Sequence, residues 1–195
     1  MKSGRTYTQR ARAESAEATR RRILLAAVGL LRARLRTDIR LADVAAEAKV
    51  SVQTVLRAFG SRDELLEVAL TELLAEFGHA LDQAEPGDVD GSVTAWFDHY
   101  EQVGEIVTRN LADESAPAVA RIAAIGRERH RARVLRQLAP QLREVPPSRR
   151  ARVEDALVCA CDVYTWKLLR RDMGRPRPEA EATMALMITG IVEAT

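Results

Sequence analysis

The stretch that most constrains this chain is Leu41 to Phe59, LADVAAEAKVSVQTVLRAF. Two short helical patterns flank a tight turn. Leu41, Val44, Ala45 and Ala48 recur at helical spacing, and Lys49, Val50 and Ser51 interrupt them. Ser51 is placed to cap a second helix by accepting a backbone N–H two or three residues on. In that helix Val52, Val55, Leu56 and Phe59 share one side, and Gln53, Thr54 and Arg57 lie mostly on another. Two helices this short cannot bury their apolar faces alone, so a supporting helix is needed before or after them. The pattern fits a helix-turn-helix that reads DNA, and it also fits an ordinary helical hairpin in an all-α core.

Charge separates these readings better than its total does. The chain of 195 residues carries a formal net charge of +2, which says little. Residues 1–60 hold 13 Lys/Arg against 5 Asp/Glu, a net +8, while residues 61–195 hold 17 against 23, a net −6. A basic first third on an acidic remainder suits a phosphate-facing module on a body that avoids DNA. A merely solvated basic terminus would show the same imbalance. Aromatic residues are only 4% of the chain, which argues against stacking platforms for single strands.

Patterning predicts an all-α chain. Residues 1–14 read as a mobile basic arm, either a ragged terminus or a reach into an adjacent groove. A first helix is expected from about Ser15 to Leu35, with Ile23, Ala27, Leu30, Leu31 and Arg34 on one face. Arg20, Arg21 and Arg22 near its start oppose the helix dipole; nearby phosphate would explain them, as would a solvated face. Thr37 and Asp38 are start signals for the helix at Leu41. Ser61 and Glu64 form a capping-box signature for a long helix with a Leu66, Leu70, Leu73, Phe77, Leu81 stripe.

After a break at residues 85–90, Val93, Trp96, Tyr100, Val103, Val107 and Leu111 form the next stripe. Trp96, Phe97, His99 and Tyr100 are the dense aromatic cluster; they suit a bundle core first, and a ligand wall built from Trp96, Phe97 and Tyr100 is compatible with it. From Ala116 to about Arg143 a short helix and a longer one are expected, broken near Gly126, with the arginines on a solvated face. Ser148 starts a helix to about Arg171, with Val153, Leu157, Ala160, Tyr164 and Leu168 on one face. Pro178 and Glu179 open the last. Helices at about 148–171 and 178–194 are apolar over much of their circumference, and a twofold pairing with a second copy would cover them.

Other chemistries find little support. Cys159 and Cys161 point to different faces of a helix, so neither a disulfide nor a shared metal site is natural there, and a reducing compartment fits. No apolar run approaches membrane-spanning length, and no secretory leader is visible; a cytoplasmic protein is expected. His79, His99 and His130 are scattered, with no nucleophile set, metal spacing or phosphate-cradling loop, so no enzyme, cofactor or metal is expected.

Together, TRRRILLAAVGLL at Thr19–Leu31, LADVAAEAKVSVQTVLRAF, and Phe59-Gly60-Ser61-Arg62-Asp63-Glu64-Leu65 resemble the tetracycline-repressor (TetR) family of bacterial transcriptional regulators. The resemblance covers Thr19–Leu74; beyond residue 80 only length and helical pattern agree. It implies a three-helix DNA-binding domain at 15–62, followed at 63–195 by a helical-bundle domain for ligand binding and dimerisation. It also implies a homodimer on a palindromic operator and an unknown small-molecule effector. A glycine is usual at Lys49, a threonine at Arg40 and an aromatic at Leu56. Carried onto this chain, the DNA-binding residues are Arg40, Lys49, Ser51, Val52, Gln53, Thr54, Arg57 and Arg62. Gln53 suits adenine, Arg57 guanine or phosphate, Thr54 either, and Val52 a thymine methyl; Arg40, Lys49 and Arg62 suit phosphate. The alternative is a helical interaction or ligand-binding protein whose DNA binding has weakened.

Overall fold

The computed structural model describes residues 3–76, 81, 84–112 and 114–194. Among the described residues every regular element is helical. The chain divides into two compact units, Met1–Leu73 and Leu74–Thr195.

In the first unit, α1 spans Ser3–Ala33. It includes most of the stretch expected to be a mobile arm and starts well before Ser15. The composition allows this: RARAESAEATRRR is made almost wholly of good helix formers, with neither Gly nor Pro. Ile23, Ala27 and Leu31 are buried as expected, with Ala26 and Val28 beside them, while Arg34 is exposed. A 3-10 turn at Arg36–Asp38 leads into α2, Leu41–Glu47. Arg40 occupies the N-cap position of α2, where its own N–H donates to Asp43 Oδ2 at 2.9 Å.

Helix α3 spans Val52–Phe59, and Ser51 Oγ accepts the Thr54 N–H at 3.1 Å as its N-cap. Helices α1, α2 and α3 pack on one another, burying Val44, Ala45, Ala48, Val55 and Phe59. Gly60 turns the chain at φ 81°, and the Ser61 hydroxyl accepts the Glu64 N–H at 3.1 Å to start α4, Arg62–Glu76. Leu66, Leu70 and Leu73 of the expected stripe are buried, joined by Leu65 and Ala69. Phe77 and His79 lie outside the described residues.

The turn between α2 and α3 holds the only positive-φ non-glycine residue among those described, Lys49 at φ 54°. Val50 N–H reaches back to Ala45 O at 2.9 Å and Lys49 N–H to Ala46 O at 3.1 Å. This is the hydrogen-bond pair that closes a helix through a left-handed residue, the place where glycine is favoured. Lys49→Gly should therefore raise stability by roughly 0.5–1 kcal/mol, the relief of the side-chain clash less the added chain entropy of glycine. A denaturant titration giving no gain would contradict that reading of the turn.

The second unit is built from α5 (Val89–Leu111), α6 (Pro117–Gln137), α7 (Ala139–Arg143), α8 (Pro147–Ala160), α9 (Val163–Lys167), a π-helical turn (Leu168–Asp172) and α10 (Arg177–Glu193). Its core gathers Leu81, Trp96, Phe97, Leu138, Leu157, Trp166, Met184 and Ile188.

The helices of this unit depart from the sequence expectation in two places. Helix α6 runs unbroken through Gly126, and the interruption falls at Leu138, ahead of Pro140. One interior glycine costs a helix about 1 kcal/mol, whereas proline removes a donor and clashes with the preceding turn. The helix expected over 148–171 is broken at Cys161–Asp162. Asp162 Oδ1 accepts the Tyr164 N–H at 2.9 Å, the Thr165 hydroxyl donates to Cys159 O at 2.8 Å, and the Tyr100 hydroxyl donates to Cys161 O at 2.9 Å. These bonds satisfy the chain ends that the break exposes. The break also shifts the register: Val163, Trp166 and Leu169 turn inward, leaving Tyr164 53% and Leu168 52% exposed. Cys159 is exposed and Cys161 buried, both free, and burial pushes the Cys161 thiol up.

Outside that core lies a belt of ion pairs between α5 and the π-turn and start of α10. Arg170 Nε meets Glu101 Oε1 at 2.6 Å, Arg171 Nε meets Glu105 Oε1 at 2.8 Å, and Arg177 Nη2 meets Asp98 Oδ1 at 2.7 Å. Partial burial pushes the Glu101 carboxyl up, but Arg170 and Arg171 outweigh it and hold it below its usual range. A lowered folded-state value stabilises above the unfolded-state value and is lost as pH falls through the folded one.

Candidate nucleic-acid interface

The surface of interest is the outer side of α3. Its helical spacing and the burial of Val55 and Phe59 leave Gln53 and Arg57 exposed and Val52 38% exposed. Thr54 is half-buried, and its hydroxyl is 2.9 Å from Ser51 Oγ. Ser51, Gln53 and Arg57 thus remain on the side turned from the protein interior. Arg40 and Lys49 are exposed at the two ends of α2. Of the residues named from the sequence, Ser51, Val52, Gln53 and Arg57 are exposed along or just before α3, Lys49 is exposed in the turn that precedes it, Arg40 is exposed at the start of α2, and Thr54 is only partly accessible.

Arg62 is different. Its Nε donates to Ile39 O at 2.6 Å, Nη1 to Asp63 Oδ1 at 2.9 Å, and Nη2 to Arg36 O. All three guanidinium nitrogens are engaged inside the unit. Arg36, itself buried, donates to the same Asp63 oxygen at 2.8 Å.

Two more arginines, expected near phosphate or on a solvated face, hold carbonyls instead. Arg20 Nη1 donates to Ala58 O, and its guanidinium lies 4.0 Å above the Phe59 ring. Arg22 Nε donates to Ala48 O at 3.1 Å. Both accepting carbonyls belong to the last turns of α3 and α2, where orphan C=O groups and the negative dipole end favour a cation. The sequence carried a signal for Arg20: it lies three residues before Ile23 and seven before Ala27, on the buried stripe. No comparable spacing marks Arg22 or Arg36. Arg21 stays exposed.

In the second unit the aromatic trio is interior. Trp96 and Phe97 are fully buried and Tyr100 nearly so. Burial pushes the Tyr100 phenol well up, with the Asp162 charge adding to it. Trp96 Nε1 and Ser92 Oγ, one helical turn apart on α5, are buried without a hydrogen-bond partner. Among the described residues no group of His, Cys, Asp and Glu is placed to hold a metal ion, and no helix is long and apolar enough to cross a membrane. The sequence matches no protein-family model and no curated protein.

Proposed function

We propose that the chain is a DNA-binding transcriptional regulator of the TetR type, acting as a homodimer on a palindromic operator and responding to a small molecule. The observation that carries this reading is the presentation of α3. A capped helix with a buried apolar side turns Gln53 and Arg57 outward, and Lys49 in the preceding turn and Arg40 at the start of α2 are also exposed. In a major groove Gln53 pairs with N6 and N7 of one adenine edge and Arg57 with O6 and N7 of guanine or with a phosphate, while Val52 meets a thymine methyl. The cations at the margin fix register without choosing sequence.

Dimer formation is supported by the apolar surface of the second unit. Leu186 is 72% exposed, and Tyr164, Leu168 and Met173 are each half exposed or slightly more. A partner's α8–α10 region would cover such residues. The effector reading rests on the α5 core, where Trp96 N–H and the Ser92 hydroxyl are two of the buried polar groups without a hydrogen-bond partner that an incoming molecule would meet. An effector releases DNA only by preferring one spacing of the two reading heads over another.

A gel-shift titration with the DNA flanking the chain's own gene tests the reading. Saturable binding that survives competitor DNA supports it. Binding no tighter than to unrelated duplex favours a helical interaction protein instead.

A further inference from the structure

We propose that Arg62 is a positioning residue that takes no phosphate itself and holds the backbone that delivers Arg40 to one. The inference rests on the DNA-binding reading above and changes how its charge is distributed.

Arg62 is the first residue of α4, and its side chain crosses to residues 23 and 26 positions earlier. Nε and Nη2 clasp the carbonyls of Ile39 and Arg36, the two ends of the segment that leads into α2. Nη1 is held by Asp63, and Arg36 closes the knot by donating to the same Asp63 oxygen. A phosphate approaching Arg62 would have to break carbonyl bonds already made and approach the Asp63 charge. The residue immediately after the clasped Ile39 carbonyl is Arg40. The Ile39 side chain is buried, and the Arg40 N–H is fixed on Asp43. The main chain at Arg40 is therefore held on both sides, while its side chain is exposed. Of the two arginines, only Arg40 has a guanidinium placed to meet DNA.

Salt dependence separates positioning from contact, because each phosphate contact contributes about 0.9 to the slope of log K against log salt. The experiment titrates one operator duplex, across salt, with the wild-type dimer and with Arg40→Ala, Arg62→Ala, Arg62→Lys and the Arg40→Ala/Arg62→Ala double variant. With one Arg40 contact per head, Arg40→Ala should flatten the slope by about 1.8. Arg62→Ala should flatten it by the same amount, and the double variant should go no further. If Arg62 touched phosphate itself, the double variant would lose about 3.6.

Arg62→Lys keeps the charge but cannot span two carbonyls and a carboxylate. It should behave like Arg62→Ala, and it keeps the test usable if the alanine variant fails to fold. An Arg62→Lys protein with the wild-type slope overturns the proposal alone. A wild-type protein without salt-dependent duplex binding overturns the DNA reading and the proposal with it.

Discussion

Trp166→Ala should destabilise the second unit by about 3–5 kcal/mol, the range for deleting a fully buried large aromatic. Trp166 is completely buried. It packs edgewise on Gly104, where an added Cβ would lie 2.4 Å from Trp166 Cζ3. Its ring is tilted against Tyr100 at 6.0 Å, and the Arg171 guanidinium lies 4.8 Å from it. The indole thus joins the apolar interior to the ion-pair belt outside. Gly104→Ala should cost about 1–3 kcal/mol by overpacking, although alanine is the better helix former. In a Trp166→Ala background the clash is gone, so the same Gly104→Ala change should become neutral or stabilising. Denaturant unfolding of the four proteins reads this sign change; additive losses would contradict the packing described.

The second large effect concerns charge. In a dimer, Arg40→Ala with Lys49→Gly removes four cations from the margins of the two heads. Each contact carries about 0.9 of salt slope, so the slope should flatten by about 3.6 and affinity near physiological salt should fall by about 10³-fold. The Lys49→Gly change alone should make the protein more stable while binding DNA more weakly. A residue retained in a strained conformation for its outward charge has that signature. Affinity unchanged within about threefold would remove these two residues from the interface.

Local signals were legible in the sequence. Ser51 as a cap, the Ser61–Glu64 pair and the centres of the apolar faces of α1 to α3 depend on residues a few positions apart, and the structure shows these, although Arg34 and Val52 at the edges of those faces are exposed. Features that depend on distant partners were not legible. The apolar spacing from Leu157 through Ala160 to Tyr164 continues smoothly, yet the helix ends at Ala160 because Tyr100, 61 positions away from Cys161, and the Asp162 side chain satisfy the exposed chain ends. The arginines of α1 and α4 look alike in a string. Which of them hold carbonyls is decided by helix ends brought close in the fold, such as the Arg22–Ala48 pair, 26 positions apart.

The most direct measurement of the central claim is selection of bound sequences from a random duplex pool, done in parallel for wild-type protein and Gln53→Ala. The account predicts a twofold-symmetric site for the wild type. For Gln53→Ala it predicts relaxed preference at one symmetric pair of positions, worth about 1–3 kcal/mol of discrimination, with the rest of the site retained. Identical enriched sites from both proteins, or no enrichment from the wild type, would contradict the claim that α3 reads base edges.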